Sequence, residues 1–352
     1  MRKRLFLTVL LAAVCCSASA EWTWVKTIDI SGVLPAGSRA KDLEADAFGN
    51  LYFTGYFGTG NVNQIWKIAN PITGDPPTIT VFNTDGGYGS TNAAHLAINP
   101  FESSNVFLCF DSGSEADSWI KKYLPNGNLD TSFGSGGVLS PVVLNGTNMR
   151  PRAIAYTGGT NKLLVSVFVS TDENYLGILD ADTGADGGAV IATLSDRNDD
   201  GTVAESEVFQ GIAYDPVENA IYGNAMGDLM KVTGLSATLD DLSTFTDFTG
   251  VCLHPRINSS ARGLGYLGNR RWIAYTALKG DANAMQIGIY NIEAATEEFA
   301  GNASTEDGYI NEGGACAIFE YDGATYVGAV DYYGNAIELF TGNTPVTDWN
   351  EY

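Results

Sequence analysis

Histidine is nearly missing from this 352-residue chain, which holds only His95 and His254. A zinc or copper centre built on several imidazoles is therefore excluded. No Gly-x-Ser-x-Gly elbow occurs, so a Ser-His-Asp hydrolase of that kind has no nucleophile. Cysteine is sparse beyond Cys15 and Cys16: Cys109, Cys252 and Cys316 are an odd set with no Cys-x-x-Cys spacing. That leaves at least one thiol without a partner within the chain. Bases are few, 19 against 41 acids for a formal charge of −22. Nucleic acid and anionic membrane are poor partners for such a chain. After residue 14 no apolar run is long enough to span a bilayer as a helix.

What is present begins with Arg2-Lys3-Arg4, the apolar run Leu5–Val14 and Ala18-Ser19-Ala20 before Glu21. These are the three parts of a secretory signal, predicting cleavage near Glu21 and a secreted or periplasmic product. Cys15 and Cys16 follow Val14 and Cys15 rather than Gly or Ala, which favours simple cleavage over a lipid anchor. The remainder, 21–352, reads as one domain.

Helical periodicity is scarce. Runs rich in Val, Ile, Tyr, Phe and Thr alternate with Gly, Asn, Asp and Pro clusters, and glycine alone accounts for 41 residues. This predicts an all-β chain. A short strand of small and apolar residues, a turn and a second apolar strand recur six times. The pairs are Leu43–Asp46 with Leu51–Tyr56, His95–Asn99 with Val106–Phe110, Ala153–Tyr156 with Leu163–Val169, Gly211–Asp215 with Ala220–Asn224, Gly263–Leu267 with Trp272–Ala277, and Ala315–Phe319 with Thr325–Val330. Such self-similarity predicts a six-bladed β-propeller. The last unit lacks an outer strand, while Trp22–Ile30 is an alternating strand ahead of the first. Pairing the two would close the ring and protect its sheet edges.

The segments DAFGNLYFTG with NQIWKI, and AYDPVENAIYG with GDLMKV, resemble blades of the NHL and SMP-30/gluconolactonase-like propellers. YLPNGNLDTSFGSGGV resembles the delta-60 propeller repeat, and Leu179–Gly184 is similar to the strand-turn piece of quinoprotein repeats. The SMP-30 resemblance implies a propeller hydrolase or lactonase with a channel metal. Glu44 lies near where that family's glutamate falls, and Asn99 and Asp215 lie near the corresponding turns, although the family's usual Glu-Gly-Pro context is absent.

Between the third and fourth units, Asp196-Arg-Asn198-Asp-Asp200-Gly201-Thr202-Val203-Ala204-Glu-Ser-Glu207 matches a twelve-residue EF-hand loop. Ca²⁺ takes six to eight oxygens. Asp196, Asn198 and Asp200 would supply side chains, Thr202 its carbonyl, Ala204 a water and Glu207 two oxygens; Gly201 permits the turn. Flanking helices are not evident, and the loop is closer in kind to dockerin-type loops or those inserted in integrin-like propellers. The alternative is an acidic turn held by its own Asx hydrogen bonds.

Aligned inner strands place Lys41, Ala94, Arg152, Gln210, Arg262 and Cys316 in one column, with Asp42 and His95 next to it. With Glu44, this predicts either a basic funnel for a small anionic ligand or buried ion pairs between blades. Seventeen tyrosines and six tryptophans would serve glycan stacking or fill the interfaces between blades. The function expected is a calcium-binding scaffold or binding module for an extracellular protein, a glycan or a small anion.

Overall fold

The computed structural model describes residues 22–34, 36–56, 62–85, 88–89, 94–99, 105–158, 161–170, 173–194, 209–225, 228–233, 248–254, 263–278, 285–300, 313–331 and 335–342. The chain forms a six-bladed β-propeller, and all its regular elements among these residues are strands. The innermost strands of blades 1 to 6 are Arg39–Ala45, Ala94–Ile98, Thr147–Tyr156, Gly211–Asp215, Leu264–Leu267 and Gly313–Tyr321. Each pairs antiparallel with the following strand, as the six sequence units predict.

Both faces of a blade are covered by neighbours, so side chains alternate between two cores rather than between core and water. In blade 3, Leu163, Val165 and Val167 pack toward blade 2 while Leu164 packs toward blade 4. Six clusters of this kind fill the six junctions, the last joining Leu43, Phe53 and Trp66 of blade 1 to Ala317, Phe319 and Ile337 of blade 6. Each fully buried Leu, Ile or Phe contributes about 1.5–3 kcal/mol. Tyr52, Tyr123, Tyr222 and Tyr275 are fully buried, so these aromatics fill junctions.

The N-terminal strand Trp22–Asp29 is the outer strand of blade 6. It runs antiparallel to Ala336–Gly342, with Trp22 opposite Gly342 and Asp29 opposite Ala336. Glu338 clamps the pair by accepting Trp24 Nε1 at 2.9 Å and Thr27 Oγ1 at 2.7 Å. Trp22 meets Trp272 of blade 5 edge to face at 6.1 Å.

Blades 3 and 4 are not separate sheets. Their outer strands, Asp186–Leu194 and Phe248–His254, pair in parallel from Ala192–Phe248 to Leu194–Gly250. With Val142–Leu144 added beside the inner strand of blade 3, the two blades make one nine-stranded sheet. The junction leaves no free edge between them. Cys109 and Cys316 are buried and free, so neither takes part in a disulfide.

Candidate functional site

The six inner strands run in the same sense, so their first residues ring one end of the axis and their last residues the other. The two ends differ in width. At the first-residue end, Asp42, Glu44, His95 and Gln210 line a cavity of about 10 Å³, room for about one water. A second cavity of about 50 Å³ shares Glu44 with it and is also lined by Tyr156, Tyr214 and Tyr266. Those tyrosines open into a bowl of about 430 Å³ at the last-residue end, with Phe319, Asp46 and Glu320.

At the narrow end Asp42 joins three blades. Its Oδ1 accepts the Leu43 N–H at 3.0 Å, its Oδ2 accepts the Leu96 N–H from blade 2, and His95 Nδ1 lies 3.7 Å from Oδ2. Gly263 of blade 5, at φ +126°, brings bare backbone against this carboxylate: an added Cβ would stand 2.9 Å from Asp42 Oδ1 and 2.3 Å from Ala315 Cβ. Burial pushes the Asp42 carboxyl up to about 7 despite the two N–H donors and nearby Lys41. Burial, then the Asp42 charge, lifts Glu44 well above the usual carboxylate range, and only a hydrogen bond from the Ala45 backbone opposes it.

The sequence column is thus brought together in part. Asp42, Glu44, His95 and Gln210 meet at the axis, whereas Lys41 and Arg152 are absent from the cavity lining. The pairing shows why: Ala40 faces Gly55 and Asp42 faces Thr54, and Pro151 faces Val167 and Ala153 faces Ser166. Lys41 and Arg152 are the extra residues of β-bulges, which re-aim a side chain relative to plain alternation. Arg152 Nε instead lies 2.9 Å from Asp111 Oδ2 of blade 2, and Arg150 donates to both oxygens of the same carboxylate at 2.7 and 3.0 Å. Of the two readings of Arg152, the geometry matches the ion pair between blades. Arg262 and the loop residues Asp196, Asn198, Asp200, Thr202 and Glu207 lie outside the described residues. Among the described residues no group of three or more His, Cys, Asp and Glu side chains is placed to hold a metal.

The bowl is the larger feature, and sequence reasoning missed it. Tyr156, Tyr214 and Tyr266 close, or nearly close, the inner strands of three successive blades. Their phenols are tethered to the turns: Tyr156 donates to Asn161 Oδ1 at 2.9 Å, Tyr214 to Asn219 Oδ1 at 2.8 Å, and Tyr266 to Asp215 Oδ1 at 2.9 Å. Asn161 and Asn219 hold φ near +50°, a conformation asparagine tolerates. The signal was a tyrosine after a small residue at the strand end, in Ala155-Tyr156, Ala213-Tyr214 and Gly265-Tyr266.

The carboxylates around the bowl are already engaged. Asp46 accepts the N–H groups of Phe48 and Asn50, both at 2.9 Å, together with Asn50 Nδ2 and the Tyr52 hydroxyl. Glu320 accepts Arg270 Nε and Asn269 Nδ2, each at 2.6 Å. Burial works to raise Asp215, but hydrogen bonds from Arg271 and Tyr266 outweigh it and hold that carboxyl below its usual range. At the rim, Phe48 and Val217, in the turns of opposite blades 1 and 4, are 71% and 70% exposed.

No protein-family model matches the chain, and no curated protein matches it. Solved structures do. A chain of the nidogen/laminin complex aligns over 82% of this chain and 91% of its own, at 12% identity and a TM-score of 0.46. The β-propeller domain of Myceliophteria thermophila Cps50 (Swd1) aligns over 88% and 84%, at 13% identity and 0.45. Trypanosoma rangeli sialidase, in complex with the inhibitor DANA, aligns over 92% of this chain and 60% of its own, at 8% identity and 0.51. At such identities the likeness is one of fold alone.

Proposed function

We propose that this chain is an exported, calcium-stabilised propeller that works as a binding module, with the bowl as its ligand site. The observation that carries the reading is the bowl itself. At about 430 Å³ it falls within the roughly 300–1,000 Å³ typical of small-molecule sites, while the opposite mouth has room for little more than a water. Export rests on the basic, apolar and small-residue order of Arg2 to Ala20. Calcium rests on the complete EF-hand spacing of Asp196–Glu207. The described strands on either side of that loop end at Leu194 and resume at Gly211, so the ion would brace the connection between the two fused blades. In repeat style the chain is read as NHL or SMP-30-like, with Glu44 at the narrow end of the axis.

Ligand-observed NMR with a small probe set tests this reading: choline, benzyltrimethylammonium, dimethylbutanol, benzoate and N-acetylglucosamine. At least one probe is expected to bind the wild type and to be lost in Tyr214→Leu. If no probe binds, or every binder is indifferent to that substitution, the bowl is not the site.

A further inference from the structure

Resting on that reading, we propose that the bowl takes an organic cation of the quaternary ammonium class, carried on a small apolar body. Three observations converge. The first is the sign of the lining: among the described residues it contains Asp46 and Glu320 but no lysine, arginine or histidine; Lys67 and Arg270, which pair with these carboxylates at 3.8 and 2.6 Å, stand outside it, and the whole chain carries −22. A cleft of one sign concentrates ligands of the other, which opposes the small anion expected from sequence.

The second is its aromatic content. Tyr156 and Tyr266 are half-buried in the lining, with the buried Tyr214 and Phe319 beside them, and ring faces attract cations through their quadrupole. Tyr156 is stacked with Phe107 of blade 2, with ring centres 6.3 Å apart and planes 13° apart, and it also lines the bowl. The tethered phenols fix how the rings stand, so little ordering remains to be done on binding.

The third observation selects among cations. Much of the polar capacity of the lining is engaged: Asp46 accepts four donors, Glu320 accepts from Arg270 and Asn269, and Thr157 donates to the Lys162 carbonyl at 3.0 Å. A primary ammonium brings three N–H donors that each need an acceptor. A sugar brings several hydroxyls with the same need, and leaving them unmade costs affinity. A quaternary ammonium has no donor to satisfy; its charge is met by ring faces and by the net negative field of the chain.

Isothermal titration with choline and its neutral carbon isostere, dimethylbutanol, tests the assignment, with benzoate as the anionic control. Choline is expected to bind about tenfold tighter than the isostere, and more weakly as salt rises. Tyr156→Phe keeps the ring and should keep the preference for choline, whereas Tyr156→Leu should abolish it; a retained thermal transition shows that the variant is folded. Equal or tighter binding of dimethylbutanol or benzoate overturns the cation assignment but leaves a binding bowl. Absence of binding by all three, with the wider probe set also silent, overturns both.

Discussion

The Asp42 carboxylate of blade 1 accepts the backbone N–H of Leu96 in blade 2, so a side chain completes the hydrogen bonding of a neighbouring inner strand at the axis. Among the described residues the four-stranded sheets of these two blades are separate. The contact therefore ties them where their strands converge, and it does so with a buried acid whose carboxyl is pushed up to about 7.

A pH dependence of stability follows. An acid whose folded pKa is raised stays protonated in the native state after the unfolded chain has lost its proton, so stability falls as pH rises from about 4 through the folded value. The Asp42 shift, from 3.8 to about 7, corresponds to roughly 4 kcal/mol at most. Glu44 is shifted in the same direction. Glu44→Gln is therefore expected to match the wild type near pH 4 and to melt higher at pH 8. An equal loss at both pH values would show that the axial carboxyl is not strained by burial.

Asp111 is 3% exposed and faces both Arg150 and Arg152. Asp111→Ala strips two cations of one partner, and removing one member of a buried pair costs about 3–5 kcal/mol. Urea unfolding should show the loss, and choline binding to the folded variant should be unchanged. A shift below about 1 kcal/mol would place the trio among surface ion pairs.

Gly263→Ala puts a methyl 2.3 Å from Ala315 Cβ at a φ of +126°, for an expected loss of the order of 3 kcal/mol. Gly323, at φ +77° with nothing within 4 Å, is the control: Gly323→Ala should cost only the backbone term, about 1 kcal/mol. Equal losses would mean that the axis is not closely packed.

Much of the fold was legible because its cause is local. Residue alternation with Gly, Asn and Asp turns marks six strand pairs, and Trp22–Ile30 shows itself as a strand in search of a partner. The axial column was only half legible. A bulge adds one residue and changes where the next side chains face, so Lys41 and Arg152 leave the axis while Asp42 and His95 remain. Nor could the parallel junction of blades 3 and 4 be read, since it pairs strands some fifty-six residues apart, Ala192 with Phe248. The bowl was hidden for a related reason: Tyr156, Tyr214 and Tyr266 become one surface only when three blades stand side by side.

Calcium is expected to raise the thermal midpoint of the chain beginning at Glu21. A ligand that binds only the folded state adds about 2.7 kcal/mol at a hundredfold excess over Kd. Differential scanning in chelator and in millimolar Ca²⁺ should show the rise in the wild type, no rise in Asp196→Ala, and a smaller one in Glu207→Gln, which loses a charged bidentate ligand. No rise in the wild type would return Asp196–Glu207 to an acidic turn.

The most direct test of the binding account is an amide chemical-shift map of the isotopically labelled protein titrated with benzyltrimethylammonium. The expected result is a set of perturbations confined to the wide mouth, at Tyr156, Tyr214, Tyr266 and Glu320, with Asp42, His95 and Gln210 unmoved. Perturbations centred on those three residues, or none at all, would contradict it.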